Sequence, residues 1–335
     1  MLEIEVTNMK IAIPFVIGGL VILLAAGEIL VKGSVALASK LGIPRLIIGM
    51  TIVAFGTSVP ELFIGIQSVL QGSPGLAIGN VVGSNIANVL LVLGVPSLLY
   101  PTLVKEHGVR RNTSMMIGIS LILIWMAFDG VLSFVDGATL VFLLAFFFGV
   151  QIHHAKSSPG KVAEQEELAE IEGVGDGDST NIAIAAFLIL GLIGLPLGAN
   201  MLVSGSVFVA EAVGVDEAII GLSLVALGTS LPELAISVVA TLRRHASVAI
   251  GNVLGSNVLN IAAVMGISTL FAGERGIRVP PQFLTFDLWV MLASSAILLP
   301  LAFAKRGSIG RPLGLVFVLL YALYIFWIFR AGLAG

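Results

Sequence analysis

Two stretches decide the fold: GTSVPEL at residues 56–62 and GTSLPEL at residues 228–234. Each is followed at the same distance by a second signature, AIGNVVGSNIANV from Ala77 and AIGNVLGSNVLNI from Ala249. The offset is 172 residues at every matched position, without a gap. It also holds upstream, where Val31, Gly33, Ser34, Val35 and Ala38 match Val203, Gly205, Ser206, Val207 and Ala210. Self-similarity at a fixed offset marks an internal duplication, so the chain is read as two copies of one unit. At the centre of each copy a glutamate, Glu61 or Glu233, sits in an otherwise apolar run. A carboxylate at membrane depth is costly and by default marks a transport site. Its natural partner here is a cation.

The 335 residues are 57% hydrophobic and 11% charged, against about 25% charged in soluble domains. Apolar runs of about 20 residues, each long enough to cross a bilayer, recur along the chain. They give ten expected spans, at about 12–38, 44–70, 74–99, 112–129, 133–152, 182–210, 216–241, 246–271, 282–304 and 310–330. Strand alternation is absent and lipid demands internally satisfied backbone, so the expected class is an all-α polytopic membrane protein. No basic tract suggests nucleic acid, and the absence of cysteine excludes disulfides and thiolate metal sites. Glu3 and Glu5 stand where a signal peptide would carry basic residues.

Residues 1–152 are read as the first repeat, 153–180 as a linker and 181–335 as the second repeat. The linker is polar and holds seven acidic residues between positions 164 and 178. His153 and His154 are expected to open it as solvated loop residues. With the N-terminus outside, twelve lysines and arginines fall on the cytoplasmic side and four outside, with Lys32 near a helix end. The positive-inside rule therefore places both termini outside and the linker in the cytoplasm of a plasma-membrane protein. Five spans per copy is an odd number, so the second copy enters upside down, as an inverted-topology repeat.

Ala54, Thr57, Ser58 and Glu61 are spaced to share one helix face. Pro60 should kink the helix there and free carbonyl oxygens near residues 54–56. Asn80, Ser84 and Asn88 form a second stripe, with Gly79 and Gly83 allowing close helix approach. The second copy repeats this with Ala226, Thr229, Ser230, Pro232 and Glu233, then Asn252, Ser256 and Asn260. Brought together, the copies make a cavity lined almost wholly by oxygen, suited to a hard cation such as Ca²⁺. Two carboxylates neutralise one Ca²⁺, or are shared among Na⁺ ions or protons, and such competition is a physical basis for exchange. Asn80 and Asn252 are read either as packing residues or as supports behind the ligands, outside the site itself. Glu28 and Lys32 lie four residues apart and are expected to pair with each other. Asp129 and Asp136 flank an expected external turn.

GTS-V/L-PEL followed by GN-V-x-GSN, in two inverted copies, resembles the sodium/calcium exchangers of the cation/calcium antiporter superfamily, prokaryotic type, over essentially the whole chain. The resemblance implies ten helices, an ion core from spans two, three, seven and eight, and a long tilted pair, spans one and six, that slides to alternate access. It implies Glu61 and Glu233 as shared ligands, with Thr57 and Thr229 helping to hold Ca²⁺. Sodium would draw on Ser58, Ser84, Ser230 and Ser256 and on the carbonyls of Ala54 and Ala226, with Asn88 and Asn260 bordering the centre. Potassium-dependent relatives carry Asp where this chain has Asn260, which argues against K⁺ co-transport. The expected function is thus a Na⁺/Ca²⁺ antiporter, a secondary transporter rather than an enzyme. It has no cofactor, has Ca²⁺ and Na⁺ as substrates and the lipid bilayer as surroundings, and shows no obligate protein partner. A Ca²⁺/H⁺ antiporter using the same two glutamates is the alternative; a passive channel and a non-transporting scaffold are further ones.

Overall fold

The computed structural model describes residues 8–72, 74–104, 108–156, 180–212, 226–304 and 307–333. Helix α1 (Met9–Leu41) opens on Asn8, whose Oδ1 accepts from the Ile11 amide, and closes on Gly42 in the left-handed region. At 1.5 Å per residue its length is roughly 50 Å, well beyond the ~30 Å of a hydrocarbon core. The first copy continues through α2 (Arg45–Thr57), α3 (Val59–Leu70), α4 (Pro74–Leu99), α5 (Val109–Ala127) and α6 (Phe134–Lys156). The second runs α7 (Asn181–Ala212), α8 (Ala226–Thr229), α9 (Leu231–Leu242), α10 (Ala246–Arg275), α11 (Phe283–Phe303) and α12 (Arg311–Leu333). Helices α3 and α9 begin and end at positions related by the sequence offset.

Among the described residues seven helices are long and apolar enough to cross a membrane, or eight if α2 and α3, bent by 44°, form one span. The fourth expected span is α5, whose first turn carries Arg110, Arg111, Asn112 and Thr113 and is correspondingly less apolar. The seventh is described only from Ala226 onward, and residues 157–179 of the expected linker also lie outside the described residues. Helix α6 runs on to Lys156, past the expected boundary at 152. His153 and His154 therefore occupy its last turn rather than a loop, and the His154 ring nitrogen lies 2.9 Å from the Val150 carbonyl. At the other end of α6, Asp136 caps the helix by accepting from both the amide and the hydroxyl of Ser133 at 2.7 Å.

The all-helical expectation needs one correction. Two small antiparallel ladders pair β1 (Thr102–Leu103) with β4 (Ser308–Ile309) and β2 (Val131–Leu132) with β3 (Ile277–Arg278). They form where the chain has left a helix and its backbone groups still need partners. Each ladder joins one copy to the other.

Helices α1 and α7, equivalent in the two copies, run antiparallel. Positions 12, 19, 26, 30 and 33 of α1 meet positions 205, 198, 194, 191 and 187 of α7 in turn. Small residues make the seam: a Cβ on Gly19 would stand 2.5 Å from the Leu202 nitrogen, and one on Gly198 2.7 Å from the Leu23 nitrogen. At the centre, α10 is buried from Ser247 to Gly266, so the residues around its polar stripe are apolar. Helix α4 lies beside it, and side chains such as Met116, Phe147, Met291 and Phe317 pack around the pair. Helix α2 of the first copy lies directly on α10 of the second. A Cβ on Gly251 would stand 2.6 Å from the Leu46 carbonyl, and one on Gly255 2.5 Å from that of Met50. This contact sets the first copy's helix break against the second copy's polar stripe.

Candidate ion-binding site

The chain breaks two residues before each repeat proline, at Ser58 (φ −86°, ψ 1°) and at Ser230 (φ −91°, ψ 2°). The two breaks are nearly superimposable in backbone conformation. Pro60 and Pro232 then sit in the first turn of α3 and α9, where a missing amide hydrogen costs nothing. Glu61 and Glu233 occupy the same first turns, the end at which the helix dipole favours a negative charge. The break does not free the Ala54 carbonyl, which accepts from the Ser58 amide at 3.0 Å and the Thr57 hydroxyl at 3.2 Å. The carbonyl that Pro60 leaves without its helical donor is that of Gly56.

Ala54, Thr57, Ser58, Glu61, Ser84, Asn88, Ser230, Glu233, Ser256 and Asn260 are all buried, and Thr229 is half-buried. Ala226 opens α8. The copies interlock: Thr57 Oγ1 lies 3.4 Å from Asn252 Oδ1 and 3.5 Å from Ser256 Oγ. Asn88 Nδ2 donates to Asn257 Oδ1 at 3.0 Å, and Asn257 Nδ2 donates to the Asn85 carbonyl at 3.3 Å. Asn80 and Asn252, expected either to pack or to support the ligands from behind, brace the glutamates. Asn80 Nδ2 donates to the Glu61 carbonyl at 3.2 Å, and Asn252 Nδ2 to the Glu233 carbonyl at 3.5 Å. Their identity in both copies was the signal that could have found them. Wide helical turns accompany the site as well. A π-helical segment begins at Asn260, another ends just before Ala54, and past Asn88 the Val92 amide reaches back to the Ala87 carbonyl.

Both carboxylate oxygens of Glu61 and of Glu233 are buried without a hydrogen-bond partner. So are the hydroxyls of Ser58 and Ser230, Asn88 Oδ1 and both amide atoms of Asn260. Folded proteins pair nearly all their buried polar atoms, and an unpaired carboxylate is the costliest exception. The Thr57 and Ser256 hydroxyls stand beside the Glu233 carboxylate without closing hydrogen bonds to it. Among the described residues no group of three or more His, Cys, Asp or Glu assembles. The charge of the cluster thus rests on two carboxylates, and its remaining donors are neutral oxygens. That donor set suits hard cations rather than soft transition metals.

The fold and this cluster define a class: a multi-pass membrane protein that handles cations. The chain matches the family described as sodium/calcium exchanger protein over residues 11–153 and 183–330, and it belongs to that family. It is 34% identical to the sodium/calcium exchanger MaX1 of Methanosarcina acetivorans, over 93% of this chain and 96% of that protein. It is 25% identical to the Ca²⁺/H⁺ antiporter ChaA of Bacillus subtilis, over 78% of this chain and 76% of that one. Among solved structures it resembles the sodium-calcium exchanger NCX_Mj soaked with Na⁺ and Ca²⁺, at 28% identity and a TM-score of 0.79, covering 94% of this chain and 97% of that one. The protein is a cation/calcium antiporter.

Proposed function

We propose that the protein exchanges Na⁺ for Ca²⁺ and extrudes Ca²⁺ from the cell on the inward Na⁺ gradient. The observation that carries this reading is the set of four buried, unpartnered carboxylate oxygens on Glu61 and Glu233. Ca²⁺ takes six to eight oxygens at about 2.3–2.6 Å. The two glutamates with Thr57, Thr229 and neighbouring amide oxygens supply that number and cancel the ion's charge. Sodium uses the same carboxylates together with Ser58, Ser84, Ser230, Ser256 and the Ala54 and Ala226 carbonyls, with Asn88 and Asn260 at the centre. The Ala54 carbonyl becomes a ligand when one of its two hydrogen bonds yields. Because the carboxylates cannot serve both ions at once, binding of one displaces the other.

The architecture we propose is ten spans in two inverted five-span repeats, residues 1–152 and 181–335, joined by a cytoplasmic linker at 153–180. The antiparallel run of α1 against α7 supports it, and the distribution of basic residues favours both termini outside. The likeness to a Ca²⁺/H⁺ antiporter favours one second reading, in which protons replace Na⁺ on the same glutamates.

One experiment separates the two. Proteoliposomes loaded with Na⁺ are diluted into Na⁺-free, K⁺-free buffer, and entry of radioactive Ca²⁺ is followed. Uptake should require internal Na⁺, ignore a proton ionophore and vanish in Glu61→Gln and in Glu233→Gln. Uptake driven by a pH gradient and indifferent to Na⁺ would replace the Na⁺ reading with the proton one.

A further inference from the structure

The two copies share their core signatures, yet α1 and α7 do not sit equivalently on them. Helix α1 lies over α9: a Cβ on Gly27 would stand 3.5 Å from the Ala235 carbonyl and 3.5 Å from Val239 Cγ2, and both of those residues are buried. The equivalent face of α3, formed by Val59, Phe63 and Gln67, is bare. Phe63 is 54% exposed where its counterpart Ala235 is 3% exposed. A two-fold repeat therefore has a second arrangement, with α7 over α3 and α9 uncovered, reached by exchanging the roles of the copies.

The charges that accompany the observed arrangement have no counterpart in the other. Glu28 on α1 accepts from the guanidinium of Arg243, at the end of α9, and also pairs with Lys32 Nζ at 3.4 Å. The sequence offset carries Glu28 to Asn200, Lys32 to Ser204 and Arg243 back to Gln71. Exchange of the copies would thus bring Asn200 to Gln71 and replace an ion cluster by two neutral amides.

We infer that Glu28 and Arg243 form a latch that holds α1 on α9 and biases the carrier toward this one of its two arrangements. The inference rests on the transport reading only in calling those arrangements steps of a cycle. Glu28 and Arg243 are positioning residues, since neither touches the ion cluster. In the proposed orientation Arg243 is cytoplasmic, so the latch closes the cytoplasmic side. Both side chains are partly exposed, so the bias is modest, about two- to fivefold.

The chain has no cysteine, so a bridge between Gly27→Cys and Val239→Cys reports directly on α1 lying over α9. In proteoliposomes under a mild oxidant, the rate of bridging follows the fraction of carriers in this arrangement and should fall about 1.3- to 1.7-fold on adding Glu28→Gln or Arg243→Gln. The exchanged pair, Glu28→Arg with Arg243→Glu, should restore it. Both neutralised proteins bridging at the parental rate would overturn the latch. Raising the salt concentration on the bridging pair alone gives the answer without a further substitution: a falling rate supports the latch and a constant rate overturns it. Ca²⁺ uptake on the same vesicles keeps the two ideas apart. Loss of bridging without Na⁺-driven uptake would retain the latch and refute the exchange reading. Na⁺-driven uptake with unaltered bridging would do the reverse.

Discussion

The contact of α2 on α10 positions the site, and Gly255→Ala tests it. The added methyl would stand 2.5 Å from the Met50 carbonyl oxygen, 2.6 Å from Met50 Cα and 2.7 Å from Ala54 Cβ. Two of these neighbours are backbone and cannot rotate away. Ordinary contact begins at 3.4 Å, so α2 must withdraw by roughly 0.9 Å from a close-packed interface. Overpacking of this kind costs about 1–3 kcal/mol of stability. The larger effect falls on the ions. Thr57, two turns along from Met50, is held 3.4–3.5 Å from Asn252 and Ser256 across this interface. Binding constellations tolerate displacements of about 0.5 Å. Loss of one well-placed ligand, about 1.4 kcal/mol, raises the half-saturating Ca²⁺ concentration about tenfold. The measurement is the Ca²⁺ dependence of initial uptake into proteoliposomes, with thermal unfolding of the same protein in detergent. Gly118→Ala is the control, since its Cβ would meet no described heavy atom within 4 Å. Parental half-saturation in a folded Gly255→Ala protein would refute the idea that this contact sets the site.

Asn252→Ala should leave the fold intact and raise half-saturating Ca²⁺ about fivefold. It removes a hydrogen bond worth about 1 kcal/mol that steadies the Glu233 turn; an unchanged uptake curve would return Asn252 to a packing role. Tyr324→Phe removes the hydroxyl that donates to the buried Asp287 at 3.1 Å and ties α12 to α11. Stability should drop by about 1–3 kcal/mol, seen in thermal unfolding, while the Ca²⁺ and Na⁺ dependence of uptake stays parental because the pair lies outside the ion cluster.

What could be read in the sequence is what the chain signals locally. Proline after Thr-Ser announced both breaks, because a missing amide hydrogen acts wherever the chain is placed. Buried glutamates in apolar helices announced the site, because no fold makes such a residue cheap without a partner. What escaped depends on contacts between copies. The Ala54 carbonyl looked free because a kink was assumed to open every nearby bond, whereas the break at Ser58 keeps that one closed. Asn80 and Asn252 could have faced either way on their helices, and only the meeting of helices turns their amides toward the glutamate carbonyls. The pairing of Glu28 with Lys32 was legible at four residues' spacing, but Arg243 lies 215 residues away.

That last omission points to a different use of the repeat. Matching positions describe what the two arrangements of a duplicated carrier share, since exchange of the copies leaves them unchanged. The mismatched positions decide which arrangement is favoured. Glu28 against Asn200, Lys32 against Ser204 and Arg243 against Gln71 all depart from the repeat, and all three charges gather at one contact of α1 with the end of α9. A perfectly symmetric duplication would spend equal time in both arrangements. The energetic difference between the two faces of this protein has to reside in such departures, and this cluster is one that the fold brings together.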